Sequence, residues 1–403
     1  MSTPSTRRRH AILRNAVAAL ALVAIFVAAG CGALRDDKGR PLNTLHPRGE
    51  QAQEIDDLIT PVFMIAGVAF LFVEGGVLFL AWKFRRRRDD EDGVDEPVQT
   101  HGHVRLELAW TILPALLLAG IGVFSVKTIW KLQKAAADRS LMTVQVVGQQ
   151  WWWEFRYDTD RDGKPDVITA NQMVIPAGQM VRLEIRSNDV IHSFWIPELN
   201  GKKDAVPGRT HSWSIQAFKP GLYQGTCTEF CGLSHALMRM EVKALPRAEF
   251  DQWLQDQRKP ATLPTDPTPD DAEDDSPVLA GFKTFQAQCA TCHQLDGMTF
   301  DGKATDGAPN ADYLHNRPAA NRPNLTSGNA PNLTHLMSRN RFAGNLFDLY
   351  AKDGSVNTVN ISSWIRNPGA MKPAAADEYR GMPTLGLDET QISDVVAFLS
   401  TLK

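Results

Sequence analysis

Cysteine is scarce in this chain. There are five in 403 residues, at positions 31, 227, 231, 289 and 292. That is too few for a disulfide-stapled scaffold, so folding has to rest on apolar cores, and the length allows two or three domains. An excess of one charge is also lacking. The formal net charge is −3, which gives no sign of nucleic-acid binding. No internal repeat is visible. One stretch, "KPATLPTDPTPDDAEDDSP" at 259–277, has almost nothing apolar to bury. Its Pro and acid content predicts a semi-extended, solvated linker, and it divides the second half of the chain into 131–258 and 278–403.

Long apolar runs, by contrast, are present. Residues 1–30 read as an export signal. Arg7, Arg8 and Arg9 precede an uncharged run from Ala16 to Ala29, shorter than the ~20 residues that span a bilayer. The run ends in Ala28-Ala29-Gly30-Cys31, which resembles a bacterial lipoprotein signal with Cys31 as the lipid acceptor. Ordinary cleavage nearby and an uncleaved anchor are the alternatives. An exported segment, 31–58, follows. Ile59–Trp82, interrupted only by Glu74, and the uncharged Leu108–Val126 are each long enough to cross the hydrocarbon core. They predict a transmembrane helical hairpin over 59–130. Arg85 to Arg88 follow the first span, so the positive-inside bias puts the connecting loop in the cytoplasm and everything after about residue 130 outside. Glu74 is a carboxylate inside a span, a type of residue that tends to be functional or to face a partner.

Within 131–258, residues 141–245 read as all-β. "MTVQVV", "MVRLEIRS", "HSWSIQA" and "RMEVKAL" alternate apolar and polar residues between Pro/Gly turns, the pattern of a β-sandwich. A short helix opens after Pro246, with Phe250, Trp253 and Leu254 on one face. Residues 278–403 read as an all-α domain with helices over Val278–Gln288 and Asp388–Leu402. The latter opens with a capping-box spacing, Asp388 and Gln391, and lines Ile392, Val395, Val396 and Leu399 along one face. The Gly-, Asn- and Pro-rich stretch between them, through Asn329, is mostly loop.

Two motifs carry chemistry. Cys289-Ala-Thr-Cys292-His293 has the spacing of a covalent c-type haem attachment, with His293 as axial ligand; a redox pair or half a zinc site are the alternatives. A second axial ligand is then sought downstream among Met298, Met337, Met371 and Met382. Met382, on a Pro/Gly loop just before the last helix, is preferred, and Met371 is second. The other motif is "GTCTEFCGLSHALM", 225–238. A disulfide accounts for Cys227 and Cys231 but not for His235 or Met238, and zinc has no use for the methionine. Thiolates, imidazoles and a weak Met ligand suit copper electron-transfer sites, and two thiolates suggest two coppers. The pattern C-x-E-x-C-x3-H-x2-M matches the dinuclear CuA site. It needs a second histidine, for which His192 in "VIHSFWIP" is preferred over His211. "DTDRDGKPD", 158–166, imitates the start of a calcium loop but has Thr169 where the bidentate Glu is expected. It is read as an acidic hairpin turn.

Residues 55–257 resemble cytochrome c oxidase subunit II, a two-helix hairpin followed by a Greek-key cupredoxin sandwich, and 278–403 resembles class I cytochrome c. "LELAWTILPA", "GQQWWWEF" and "KKDAVPGR" match that family's second helix, aromatic segment and subunit I-facing loop. One departure is Gln149, where many members have His. The resemblance implies copper ligands His192, Cys227, Cys231, His235, Met238 and the Glu229 carbonyl, with the Glu229 side chain toward a Mg²⁺ at the subunit interface. It implies that Trp151 receives electrons from the cytochrome c side, that Glu107 sits at the mouth of a proton pathway, and that Gly281 and Phe285 pack against Phe398. The expected function is electron entry to a haem–copper oxidase in a bacterial cell membrane. Electrons would come from a cytochrome c or a quinol–cytochrome c reductase. Subunits I and III would be partners, and oxygen reduction and proton translocation would take place in subunit I. A free-standing membrane electron carrier and a CuA subunit of a nitric-oxide reductase are the alternatives. The linker would tether the haem domain loosely, with few contacts to the copper domain.

Overall fold

The computed structural model describes residues 41–85, 102–139, 142–160, 162–163, 165–264, 276–296, 330–374 and 381–403. The export signal with Cys31, Arg86 to Arg88, Met298 and the acidic run Asp270–Asp275 lie outside these.

Two long helices, α1 (Glu50–Lys83) and α2 (Val104–Arg139), form the hairpin. Both are apolar enough to cross a membrane, with mean hydropathies of 2.3 and 2.0 and no buried residue in the apolar stretch. Helix α1 begins nine residues before the expected span, because its outer turns belong to the soluble body. Gln51, Ala52 and Asp56 are buried, the amide of Ala52 donates to the carbonyl of Leu199 at 3.1 Å, and Gln51 Nε2 donates to Ser214 Oγ at 3.4 Å. Lys131 of α2 pairs with Glu54 of α1 at 2.5 Å.

The β domain is a sandwich of two five-stranded sheets. In chain order the strands are β1 (Thr143–Gln149), β2 (Trp152–Asp158), β3 (Val167–Ala170), β4 (Gln172–Pro176), β5 (Val181–Ser187), β6 (His192–Trp195), β7 (Lys203–Ala205), β8 (His211–Ile215), β9 (Gly221–Cys227) and β10 (Arg239–Leu245). The sheet orders are β3-β2-β1-β5-β8 and β4-β10-β9-β6-β7. The parallel pairs β1·β5 and β4·β10 mark where the chain crosses between sheets. The four expected strands are β1, β5, β8 and β10. Strand β2 is an addition to these: Trp153 to Asp158 alternate apolar and polar residues, and both faces of the strand are buried. Trp153, Phe155 and Tyr157 fill the core beside Phe194 and Leu183, and the Tyr157 hydroxyl accepts from the amide of Val174 at 2.7 Å. Helix α3 (Arg247–Gln257) starts after Pro246 as expected, and its Phe250, Trp253 and Leu254 close one end of this core.

The last domain is helical, with α4 (Pro277–Thr284) running into a wider π turn at Phe285–Cys289, then α5 (Thr358–Arg366), α6 (Pro368–Met371) and α7 (Glu389–Leu399). A two-stranded ribbon, β11 (Arg341–Phe342) and β12 (Phe347–Asp348), precedes α5. Ser276 caps α4, with Pro277 in the first turn. Asp388 and Gln391 form both bonds of the capping box on α7. The terminal helices cross at Gly281, where a Cβ would lie 1.9 Å from the carbonyl oxygen of Asp394. Phe282 and Phe285 stack on Phe398 at 5.1 and 5.4 Å. The expected linker is shorter than its composition suggested. Ala261 and Leu263 pack on the helical core, and the amide of Ala261 donates to Asp296 at 2.9 Å.

Candidate metal and haem centres

The β6–β9 pairing sets the first site, because its register places Phe194 opposite Cys227 and so brings the start of β6 to the end of β9. Two backbone bonds then pinch the loop after β9: Cys227 N to Met238 O at 3.0 Å and Thr228 N to Ser193 O at 3.1 Å. A single 3-10 turn, His235–Leu237, carries the histidine. As a result His192, Cys227, Cys231, His235 and Met238 converge. The sulfurs of Cys227 and Cys231 are 3.9 Å apart, far beyond the ~2.05 Å of a disulfide, and both thiols are free. His192 Nδ1 is 4.0 Å from Cys227 Sγ, His235 Nδ1 is 3.5 Å from Cys231 Sγ, and Met238 Sδ is 3.8 Å from Cys231 Sγ. Cys227 Sγ lies 3.3 Å from the Glu229 carbonyl oxygen.

The donors are aimed. His192, fully buried, donates Nε2–H to Asp189 Oδ1 at 2.7 Å, which leaves Nδ1 with its lone pair toward the sulfurs. Burial pushes the Asp189 carboxyl up, but hydrogen bonds from His192 and from the amides of Gln150 and Val190 hold it below its usual range. The hydrogen bond from Cys231 pulls Cys227 down to about 4, and the same bond, with burial, pushes Cys231 up. Two thiols, two imidazoles, a thioether and a carbonyl within contact distance form a soft donor set, buried except at the half-buried His235, that fits copper better than zinc. His211 is not part of it; its Nδ1 contacts the carbonyl of Asp204 at 2.7 Å.

The second site is a cavity in the helical domain walled by Cys289, Cys292, His293 and Met382. His293 donates Nδ1–H to the carbonyl of Pro331 at 2.9 Å, which frees Nε2 as a ligand, and burial lowers its pKa. Both thiols are free and on one wall. The apolar lining, the two adjacent thiols and an oriented imidazole fit a haem held through Cys289 and Cys292. Met382 lines the cavity; Met371 and Met337 do not.

Trp151 lies between the two sites. It is buried, its indole Nε1 donates to the Cys231 carbonyl at 2.9 Å, and it also walls the haem cavity. Gln150 Nε2 reaches the same carbonyl at 2.8 Å. Gln149 is buried and also lines the cavity. Glu229 is half-buried beside Cys227. Glu107 stands apart, exposed in the first turn of α2, and Glu74 is exposed midway along α1. Asp158, Asp160 and Asp162 do converge. Thr169, however, sits inside β3 and donates to the Gln172 carbonyl at 3.1 Å, and Asp158 Oδ2 accepts the amide of Gly163 at 3.1 Å, the arrangement of a hairpin turn. Two contributors escaped sequence reading. Asp189 left only a D-x-x-H spacing as a signal. Lys372 left none, since its Nζ meets the carbonyl of Trp151, 221 positions away.

Comparison with known proteins agrees with this architecture. Three family descriptions match in series: "Cytochrome C oxidase subunit II, transmembrane domain" over residues 47–128, "Cytochrome C oxidase subunit II, periplasmic domain" over 163–245 and "Cytochrome c" over 278–403. Cytochrome c oxidase subunit 2 of Alkalihalophilus pseudofirmus is 30% identical over 372 residues, 90% of this chain and 91% of the relative. That of Bacillus sp. (strain PS3) is 32% identical over 394 residues, 93% and 94% respectively. Among solved structures, the periplasmic domain of subunit II of cytochrome oxidase from Bradyrhizobium japonicum is 28% identical, with a TM-score of 0.28, covering 30% of this chain and 95% of that one.

Proposed function

We propose, from the premise that this chain belongs to the cytochrome c oxidase subunit 2 family, a specific route for the electron entry that such a subunit provides. As a member with a fused cytochrome c domain, it is the membrane-bound electron-entry subunit of a haem–copper oxidase, with extracytoplasmic domains and subunit I as its partner. The finer reading is that the membrane is the bacterial inner membrane. Residues Cys289, Cys292, His293 and Met382 would hold a covalent haem c. Residues His192, Cys227, Cys231, His235, Met238 and the Glu229 carbonyl would hold the CuA pair. When bound, these groups supply the one-electron carriers between an external donor, such as a cytochrome c or a quinol–cytochrome c reductase, and the haem of subunit I, where oxygen reduction is coupled to proton translocation.

The chain's own residues do the holding and aiming. Asp189 fixes the His192 tautomer, the pinched loop keeps both sulfurs out of water, and Trp151 joins the haem cavity to the backbone of a copper ligand. Glu229 would reach a Mg²⁺ at the subunit I interface, and Glu107 would open a proton path there; subunit III would complete the assembly. One observation carries the reading. Two unbridged thiols lie 3.9 Å apart among two imidazoles and a thioether, one indole from a CXXCH cavity. The full chain in detergent should contain two coppers and one covalent haem, with a mixed-valence copper EPR signal that Cys227→Ser abolishes. Zinc in the metal analysis, or a Cys227–Cys231 disulfide in the loaded protein, would defeat it.

A further inference from the structure

The haem domain does not hang loosely from its linker. Its segments 340–345 and 372–373 are seated on the copper domain. Lys372 is the centre of that seat. It is buried, and its Nζ donates to the carbonyl of Trp151 at 2.5 Å and to that of Ala343 at 3.2 Å. Among the described residues it makes no ion pair, so it does not belong to an ordinary surface bridge; burial pulls its pKa down to about 7. The chain is bent to meet it. Ala343, Gly344 and Asn345 are three successive left-handed residues, with φ of 54°, 81° and 63°, a conformation costly for the two that carry side chains. The turn gives the Gly344 carbonyl to the amide of Arg239 at 3.2 Å, and Asn345 Nδ2 to the buried Glu241 at 3.3 Å. Asn340 Nδ2 reaches the same carboxylate at 3.4 Å, and Ser234 Oγ donates to the carbonyl of Pro373. The fit at Gly344 is tight. A Cβ there would lie 2.4 Å from Lys372 Nζ, 3.1 Å from the carbonyl of Leu237 and 3.3 Å from that of Trp151.

Lys372 lines the same cavity as Cys289, His293 and Trp151. The residue that clamps the two domains is therefore also the one that seats the cavity mouth on the Trp151 segment, and Trp151 already donates to a copper ligand's carbonyl. We propose that Lys372 is a positioning residue, clamping the haem domain to the backbone of Trp151 so that electrons pass between the two centres from one fixed docked geometry. The clamp rests on the functional reading given above. Docking itself, however, is a property of this chain's own side chains and can be read separately.

The test uses the full chain, loaded with copper and haem, in detergent. Lys372→Met keeps the length of the side chain but leaves the carbonyls of Trp151 and Ala343 buried without their donor. Hydrogen exchange at 149–152 and 343–345 should then quicken about tenfold to a hundredfold, the size expected when buried carbonyls lose their donor. Electron transfer after flash reduction of the haem should slow at least about tenfold and lose its single phase. The haem absorption and the copper EPR signal should stay as in the native chain. Gly344→Ala attacks the seat from the other side and keeps the Lys372 side chain in the sequence; its methyl, 2.4 Å from Nζ, would push the amine off both carbonyls and should give the same two changes, and it decides the matter if Lys372→Met fails to retain haem. Native exchange and single-phase transfer in both variants would overturn the proposal. If the native chain shows no mixed-valence copper or covalent haem, the functional reading has failed instead, and the exchange data still report whether Lys372 clamps the domains.

Discussion

Asp189→Asn is the sharpest probe of the copper site, because the carboxylate accepts hydrogen bonds on both oxygens. Oδ1 takes His192 Nε2–H at 2.7 Å and the amide of Val190 at 2.8 Å, and Oδ2 takes the amide of Gln150 at 2.7 Å. An asparagine has one carbonyl oxygen and one NH2 in the same space. Whichever way it is turned, an N–H must face another N–H. If the NH2 faces His192, the imidazole loses the acceptor that fixes its tautomer. If it faces Gln150, the strand turn carrying Trp151 loses a buried bond. A hydrogen bond to a charged acceptor contributes about 1.5–3 kcal/mol, and outer partners of ligating histidines are each worth about 10–100-fold in metal affinity. The two scales agree, since about 1.4 kcal/mol is tenfold. Copper affinity, measured on the full apo chain by titration against a competing chelator, should therefore fall about tenfold to a hundredfold. The two-copper stoichiometry and the haem absorption should be unchanged. An affinity within about twofold of native would show that His192 is aimed by its packing against Trp153, 5.9 Å away edge to face, and that the carboxylate is dispensable.

Two further outcomes follow from the helical domain. Met382→Ala should leave the haem attached through Cys289 and Cys292 but remove the Met-ligated low-spin spectrum and lower the reduction potential, since a His/Met pair raises it; if Met371→Ala does this instead, the wrong loop has been assigned, although only Met382 of the two lines the cavity. Gly281→Ala should destabilise the domain by about 2–3 kcal/mol or more, because the new methyl meets the backbone of Asp394 and not a side chain that can swing away; a melt followed at the haem absorption that is unshifted would remove Gly281 from the helix crossing.

Sequence patterns were most legible where one face of an element is wet. Strand β5 alternates buried and half-buried residues along its whole length, and helices α3 and α7 carry a one-sided apolar stripe with their start signals. Strand β2 shows the limit of that rule: Trp153 to Asp158 alternate apolar and polar residues, yet Glu154, Arg156 and Asp158 on the polar face are buried as well. The start of α1 failed for a related reason. Gln51 and Asp56 are polar, so the run read as a connecting segment before the membrane, yet they are buried against the sandwich. Periodicity reports contact with water, and polar residues turned toward another part of the chain give a false report of it.

The site divides along the same line. Ligands bunched within twelve residues, Cys227 to Met238, and the CXXCH at 289–293 are local, so their spacing alone carries the chemistry. His192 lies 35 positions upstream and could be chosen only because it opened a strand-like segment; the β6–β9 register is what brings it home. Composition pointed the wrong way for the docked haem domain. An acidic, Pro-rich stretch reads as a tether that leaves its cargo free, and entropy alone would have it so. The groups that oppose this entropy are a lysine beside a proline, a glycine between two left-handed residues and a buried glutamate, none of which forms a motif. Tethering and docking also act together. A short linker raises the effective concentration to the order of millimolar, so the seat around Lys372 need supply only a few kcal/mol to be occupied nearly all the time. A polar seat of this kind need not be strong enough to join two separate proteins in order to hold within one chain.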